Sequence, residues 1–243
     1  MAIMKPFLLL VTLLFLPLTQ ALSLKIGVMP NNPPLSTLID KKNHFSGFEI
    51  SLMQEICLRI KEPCSFKAVI MKQIQPALME QKIDLAIATY IIADKPPPGF
   101  IYSIPYLASN AQFIVNDDSK IISTSSIQGK NVGVRHGTLF DDVLNKLFGD
   151  KITITKYMTI DELVSALKNE NIDAVLTDAV AADYWVLNSG GLYRSVGKKI
   201  PIGNGYGILA NVGQETLIGR INQAIQNMMI DGSYVKIYSD YFS

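Results

Sequence analysis

The sequence predicts an α/β fold of two lobes, each with a mainly parallel sheet, joined by a hinge that the chain crosses twice. Three observations predict it. Segments 24–28 and 130–134 begin two copies of one plan, in which a strand is followed by a loop, an amphipathic helix and further strands. The strands are almost continuously apolar and alternate with helices, which indicates parallel sheets covered on both faces. The proline-rich segment 94–107 separates the two copies.

The helices and closing strands follow the same order in both copies. Segments 81–89 and 170–178 are the strands that close the two series. Thr159 and Glu162 have the spacing of a capping box, which predicts that a helix begins there. The apolar positions near helical spacing are Phe48, Leu52, Ile56 and Ile60 in the first copy and Leu139, Val143, Leu144 and Leu147 in the second.

Two crossings between the lobes are predicted. The proline-rich segment leads into a strand at 111–115. The flexible stretch 203–207 leads into a strand at 208–210 and helices at 215–230 and 233–241. If these last elements return to the first lobe, they complete it. The predicted division is 22–110 with 205–243 for lobe 1 and 111–204 for lobe 2.

Residues 1–21 have the features of a secretory signal peptide. Lys5 supplies the positive charge, 7–18 is an apolar run, and 19–21 offers small residues for cleavage after Ala21. The run is short for a membrane span. No cysteine lies near the cleavage point, so a lipid-anchored lipoprotein is not predicted. We therefore predict export with cleavage of the signal peptide; an uncleaved N-terminal anchor is the alternative.

The charge of the chain is nearly balanced, with 22 Lys and Arg against 21 Asp and Glu. Nucleic-acid binders carry a clustered basic surface, so no nucleic-acid partner is predicted. Cys57 and Cys64 lie close together across a predicted helix end. In an oxidising compartment they can reach disulfide distance, and two free thiols in the core are the alternative. A metal site needs more ligands than these cysteines and two distant histidines offer.

In parallel sheets, ligands bind beyond the carboxyl ends of the strands. This rule predicts a cleft between the lobes that four loops line, two from each lobe. The loops are 29–32, 89–92, 135–138 and 178–180. We find no nucleophile elbow, glycine-rich phosphate loop or histidine pair in the sequence. The prediction is therefore a binding cleft without catalytic residues, metal or cofactor.

Three residues of these loops suit a charged ligand. Thr138 follows Gly137 at the start of a predicted helix, where free N–H groups and the helix dipole favour an anion; the alternative is a residue that only caps the helix. Asp178 ends a buried strand, where its carboxylate needs a partner. A ligand ammonium is one such partner, and a helix-start aspartate is the alternative. Arg135 follows an apolar strand, and an exposed position is its default interpretation.

Short motifs recur in a fixed order along the chain, and the whole mature chain resembles the periplasmic polar amino-acid binding proteins of ABC importers, the lysine/arginine/ornithine and histidine binder family. The resemblance implies the type II periplasmic binding protein fold, a disulfide between the two cysteines, and C-terminal helices that belong to lobe 1. The motifs are 25–28 (KIGV), 47–50 (GFEI), 82–84 (KID), 94–95 (DK), 129–134 (GKNVGV), 172–174 (IDA), 177–178 (TD), 231–234 (DGSY) and 241–242 (YF), with Cys57 and Cys64.

The resemblance also implies a ligand site, which this chain keeps in part. Thr89 stands where the family has a carboxylate-binding Ser or Thr. Thr138 stands at the position of the donor at the helix N-terminus, and Asp178 at that of the acid that receives the ligand's α-ammonium. These three positions indicate a ligand with both a carboxylate and an ammonium group.

Other ligand positions of the family are changed. Pro96 stands where the family has an Arg that clamps the carboxylate, and this loss removes roughly one to two decades of affinity. Asn32 and Met71 stand at the two aromatic positions that sandwich the ligand, and Met29 at a position that is acidic in some cationic amino-acid binders. Our hypothesis is that Arg135 supplies the charge that Pro96 removes. The rival hypothesis is a ligand that is not an α-amino acid.

Three functions are compatible with this site. We favour a monomeric periplasmic receptor that captures a small polar ligand, an amino acid or a related compound, for an ABC permease. The second is an enzyme on the same scaffold, similar to the periplasmic cyclohexadienyl dehydratases that act on prephenate, although no added acid lies near Asp178. The third is an accessory or sensor protein that binds a ligand other than an amino acid.

Overall fold

The structure, a computed structural model, describes residues 23–242. The predicted signal peptide, 1–21, lies outside the described residues. Within them, no helix combines the length and the apolar character needed to cross a membrane.

The described residues form thirteen strands and seven α-helices. The strands are β1 (Leu24–Val28), β2 (Asn31–Asn32), β3 (Ser36–Leu38), β4 (Phe45–Ser46), β5 (Cys64–Ala68), β6 (Leu85–Ile91), β7 (Phe100–Tyr102), β8 (Asn110–Asn116), β9 (Asn131–Arg135), β10 (Thr153–Tyr157), β11 (Ala174–Asp178), β12 (Tyr193–Pro201) and β13 (Tyr206–Asn211). The helices are α1 (Phe48–Ile60), α2 (Ile74–Met79), α3 (Phe140–Phe148), α4 (Ile160–Lys168), α5 (Ala179–Asn188), α6 (Glu215–Ile230) and α7 (Ser233–Phe242).

The strands form two five-stranded sheets and a small three-stranded one. The first sheet has the order β5-β1-β6-β13-β7, and the second has the order β10-β9-β11-β8-β12. In the first, β1 pairs in parallel with β5 and β6, while β13 pairs antiparallel with β6 and β7. In the second, β9 pairs in parallel with β10 and β11, while β8 pairs antiparallel with β11 and β12. One strand in each sheet therefore runs against the others, which confirms the predicted mainly parallel α/β fold.

The antiparallel strand of each sheet is the one by which the chain arrives from the other sheet. β8 follows β7, and β13 follows β12. The two crossings touch each other, because Leu107 and Tyr206 form a β-bridge. The Tyr206 N–H donates to the Leu107 carbonyl at 2.8 Å, and the Tyr106 N–H donates to the Tyr206 carbonyl at 2.9 Å. The two crossings are thus hydrogen-bonded into one connection between the sheets.

The two sheets share a detail where their strands begin. Asp84 precedes β6, and its Oδ2 accepts a hydrogen bond from the Lys25 N–H at 2.7 Å. Asp173 precedes β11, and its Oδ2 accepts one from the Asn131 N–H at 2.8 Å. In both sheets the carboxylate joins the start of its own strand to the start of the neighbouring parallel strand. The repeated plan of the sequence therefore has a structural counterpart.

Helix α1 carries the largest apolar face of the first half of the chain. Its buried residues include Phe48, Leu52, Ile56 and Ile60, the four positions predicted from helical spacing. Helices α6 and α7 pack against α1 and against each other. An aromatic cluster joins α1 to α7, with five rings whose centroids lie 5.0–6.5 Å from that of Phe48. These rings belong to Tyr106, Tyr234, Tyr238, Tyr241 and Phe242.

Cys57 and Cys64 form a disulfide, with their Cα atoms 6.2 Å apart. Helix α1 ends at Ile60, and Lys61 adopts the left-handed conformation, with φ of 56°. This residue reverses the chain, so that the first residue of β5 faces the last turn of α1. The predicted disulfide is confirmed, and the alternative of two free thiols is wrong.

Helix α4 begins as predicted, whereas helix α3 does not. Thr159 and Glu162 form the predicted capping box. Helix α3 begins at Phe140 with Leu139 at the capping position, so the prediction of Thr138 as the N-cap is wrong. The Thr138 hydroxyl donates to the Arg135 carbonyl at 2.7 Å and accepts a long hydrogen bond from the Phe140 N–H at 3.5 Å. The buried face of α3 is accordingly formed by Phe140, Leu144 and Phe148.

Candidate functional site

A cavity of about 280 Å³ lies between the elements of the first sheet and those of the second. Four of the predicted ligand-binding residues line it: Met71, Thr89, Thr138 and Asp178. The two others, Asn32 and Arg135, do not line this cavity. The remaining lining residues are Gln75, Tyr90, Ile91, Ala93, Lys95, Pro97, Tyr102, Gly137, Leu139 and Phe140.

The parallel strands bring these residues together at their carboxyl ends. Asp178 is the last residue of β11, and Thr89 lies two residues before the end of β6. Thr138 lies in the loop between β9 and α3. Three of the four loops predicted to line the cleft contribute residues to this cavity, and loop 29–32 contributes none.

Arg135 is buried, so its default interpretation as an exposed residue is wrong. Its side chain is 3% exposed. Its Nη2 donates to Asp178 Oδ2 at 3.0 Å, and its Nη1 donates to Asn32 Oδ1 at 3.1 Å. Asn32 and Asp178 come from different sheets, so the guanidinium bridges the two halves of the fold. This contact places Arg135 behind Asp178, away from the cavity.

Asp178 has both carboxylate oxygens engaged within the protein. Oδ2 accepts from Arg135, and Oδ1 accepts from the Tyr206 hydroxyl at 2.5 Å. Asp178 occupies the capping position of α5, but its side chain makes no capping hydrogen bond. Burial raises the pKa of Asp178, and the charge of Arg135 and the hydrogen bond from Tyr206 oppose that rise. Sequence reasoning did not identify Tyr206, because its bond to Asp178 depends on the return of β13.

A second buried carboxyl lies behind Thr89 and was also not identified. Glu49 Oε1 accepts from the Thr89 N–H at 2.7 Å and from the Tyr106 hydroxyl at 2.5 Å. Glu49 is fully buried, and its Oε2 has no partner in the described part of the chain. Burial raises the pKa of Glu49 to about 7, with the Tyr106 hydrogen bond acting in the opposite direction. The signal in the sequence is its position one helical turn before Met53, on the buried face of α1.

The pKa of Glu49 predicts a pH dependence of stability. The folded protein retains this proton between the ordinary value of 4.5 and about 7, whereas the unfolded chain releases it. The free energy of unfolding should therefore fall by about 3 kcal/mol between these pH values on account of Glu49. Glu49→Gln keeps an oxygen acceptor for the Thr89 N–H. Its free energy of unfolding, measured by urea unfolding at several pH values between 4.5 and about 7, should lack this fall.

The matched control is Glu80→Gln, which changes an exposed glutamate. Its pH profile should run parallel to that of the unmodified protein. Equal slopes for the Glu49→Gln variant and the unmodified protein would show that Glu49 is ionised in the folded state.

The N-terminus of α3 faces the cavity with free donors. The N–H groups of Gly137, Thr138 and Leu139 donate to no other group within the described residues. Gly137 has φ of +87°, and a Cβ placed there would lie 3.1 Å from the Lys72 backbone nitrogen. A glycine is needed here, because the loop of one sheet approaches the backbone of the other and adopts the left-handed region. The free N–H groups and the helix dipole favour an anion at this point.

A buried hydroxyl adds one more donor to the cavity. Thr89 is 2% exposed and its Oγ1 has no partner within residues 23–242. An unpaired buried hydroxyl is costly, so this hydroxyl is available to pair with a group in the cavity. On the opposite side, the Gln75 Nε2 donates to the Tyr90 hydroxyl at 2.6 Å, beside Tyr102. The cavity therefore combines a cluster of donors with an aromatic wall.

Comparison with known proteins agrees with this geometry. A family model described as bacterial extracellular solute-binding proteins, family 3, matches residues 24–243. The putative ABC transporter arginine-binding protein 2 of Escherichia coli K12 is 28% identical over 231 residues, which cover 92% of each chain. The lysine/arginine/ornithine-binding periplasmic protein of the same strain is 29% identical over 228 residues, covering 90% of this chain and 87% of that protein.

Solved structures give the same result for the fold. The crystal structure of an arginine 3rd transport system periplasmic binding protein from Legionella pneumophila is 39% identical, with a TM-score of 0.86. It covers 90% of this chain and 99% of its own. An ancestral arginine-binding protein bound to arginine is 30% identical, with a TM-score of 0.83, over 91% of this chain and 98% of its own.

Proposed function

Because this chain belongs to the bacterial extracellular solute-binding proteins of family 3, we propose that it captures a small carboxylate-bearing solute, an amino acid or a related compound, for an ABC importer. The observation that carries this proposal is the set of unpaired donors around the cavity. The N–H groups of 137–139 and the Thr89 hydroxyl converge on it from the two sheets. A carboxylate accepts such hydrogen bonds, which are strong because they are charge-assisted.

We propose that the protein works by closure of two lobes, 22–110 with 205–243 and 111–204. The contact of Gly137 with the Lys72 backbone and the hydrogen bond between Asn32 and Arg135 support this, since both join the two lobes beside the cavity. A ligand that touches both lobes stabilises the closed arrangement and shifts the population toward it. The closed pair of lobes is then the form that docks on a permease.

The names of the relatives support a periplasmic location, reached by export with removal of residues 1–21. They also support the binding function over the dehydratase alternative. We propose that the protein makes and breaks no bond in its ligand and acts as a monomer without a nucleic-acid partner. Absence of prephenate turnover, followed by ultraviolet absorbance, is the expected result.

The proposed ligand class is tested by thermal unfolding with a panel of amino acids, polyamines and small organic acids. A ligand stabilises the folded protein by RT ln(1 + [L]/Kd), and we expect stabilisation by carboxylate-bearing compounds alone. Thr89→Val replaces the free hydroxyl by a methyl group. It should weaken binding of the compound that stabilises the unmodified protein at least about tenfold. Thr153→Val, the same change at an exposed position of β10, should leave the affinity unchanged. Stabilisation by polyamines, or by no carboxylate, would contradict the proposal.

A further inference from the structure

We propose that Arg135 is a specificity-determining residue, which takes at Asp178 the place of a ligand ammonium and selects carboxylates that lack an α-ammonium group. This inference rests on the proposed function, because it concerns the ligand of the same cavity. It extends that function by naming the chemical class of ligand that the site prefers.

The first support is the state of Asp178. Its carboxylate is 1% exposed and is the acidic group that lines the cavity. One oxygen accepts from the Arg135 guanidinium at 3.0 Å and the other from the Tyr206 hydroxyl at 2.5 Å. An ammonium of a ligand is attracted to a buried carboxylate when that charge has no counter-cation. Here the counter-cation is part of the protein, so a ligand ammonium gains little from Asp178.

The second support is the charge around the cavity. The charged residues that line it are Lys95 and Asp178. Arg135 neutralises the charge of Asp178 from the side away from the cavity. Of the two charged lining residues, Lys95, which is exposed, is therefore the one whose charge is not compensated. Glu49, behind Thr89, has its pKa raised to about 7 and is therefore partly neutral near that pH. The local field thus favours a ligand with net negative charge over a zwitterion or a cation.

The third support is the inventory of donors and acceptors. The free N–H groups of 137–139 and the Thr89 hydroxyl can all donate to a carboxylate. Both oxygens of Asp178, the carboxylate in the lining of this cavity, are engaged. The Gln75 side chain, whose Nε2 donates to Tyr90, offers an ammonium only a neutral amide oxygen. The rest of the wall is largely apolar or aromatic. It is formed by Met71, Ile91, Pro97, Tyr102, Leu139 and Phe140. A carboxylate on an apolar or amide-bearing body fits these walls.

Matched pairs of ligands that differ only in the α-ammonium group test the inference. The pairs are L-phenylalanine with 3-phenylpropionate, L-glutamine with 4-carbamoylbutyrate, and L-arginine with 5-guanidinopentanoate. Titration calorimetry of the full mature protein should show that, in each pair that binds, the compound without the ammonium binds at least about tenfold more tightly.

Variants at Arg135 identify the cause of this preference. Arg135→Met removes the counter-cation and should reverse the preference, so that the α-amino acid of each pair binds about tenfold more tightly or better. Arg135→Lys, the matched control, keeps the positive charge and should keep the original preference. The double variant Arg135→Met/Asp178→Asn removes both charges and should bind the two members of a pair within a few-fold of each other. If circular dichroism shows that Arg135→Met alone does not fold, the double variant takes its place in the test.

The outcomes separate this inference from the proposed function. If the unmodified protein prefers the α-amino acid of a pair, Arg135 does not exclude the ammonium and the inference is wrong, while the proposed function stands. An unchanged preference in Arg135→Met or in the double variant would also overturn the role of Arg135. If no compound of any pair binds, both the ligand class and this inference are wrong.

Discussion

Replacing Phe48 by alanine is expected to lower the free energy of unfolding by about 3–5 kcal/mol. The Phe48 side chain is fully buried, and its ring contacts the aromatic cluster that joins α1 to α7. Truncation removes buried apolar surface and leaves a cavity that five large rings cannot fill without leaving their positions. Urea unfolding followed by circular dichroism, at a fixed pH, measures the loss.

Leu58→Ala is the matched control for this variant. Leu58 lies on the same helix but is 72% exposed, so its truncation should change the free energy of unfolding by no more than about 0.5 kcal/mol. A loss below about 1 kcal/mol for Phe48→Ala would show that α7 does not depend on this cluster.

Replacing Asp178 by alanine is expected to lower the free energy of unfolding by a similar amount, about 3–5 kcal/mol. The change leaves the buried guanidinium of Arg135 without its anion and the Tyr206 hydroxyl without its acceptor. An uncompensated charge in the interior is costly because water cannot reach it. The same unfolding measurement applies, in the absence of ligand.

The exposed pair of Asp183 and Lys199 provides the control, since its atoms are 2.7 Å apart but its side chains are 44% and 52% exposed. Asp183→Ala should cost no more than about 1 kcal/mol, because water screens and replaces the interaction. Similar losses for the two variants would mean that burial does not set the strength of the Arg135–Asp178 contact.

Local features of the fold were predictable because neighbouring residues determine them. The capping box at Thr159 needs only Glu162 three residues later, and the structure confirms it. Helix α6 has the predicted bounds, Glu215–Ile230, since its apolar spacing and the following Asp231-Gly232 lie within one segment. Residues of three of the four predicted loops line one cavity for the same kind of reason, because the carboxyl ends of parallel strands share one edge of a sheet.

The partners of the buried charged groups were not predictable, because they come from distant parts of the chain. Arg135 was expected to be exposed, since nothing near it in sequence indicates that Asn32 and Asp178 enclose it. Glu49 was not identified as a buried acid, although Tyr106 and Thr89 satisfy one of its oxygens. Such pairs form between elements that are distant in sequence, and a linear pattern does not record which strands and loops become neighbours.

The antiparallel strand of each sheet also sets an order in which the fold can form. The second sheet uses only one continuous stretch, from β8 to β12, so it can be completed while later residues are still absent. The first sheet lacks its fourth strand until β13 arrives, and β7 has no neighbour in that sheet before then. Pairing of Ile91 with Tyr206 closes a loop that contains the entire second sheet, a slow step because contacts distant in sequence carry a large entropic cost. The first sheet can therefore be completed only after the chain has passed through the whole of the second sheet.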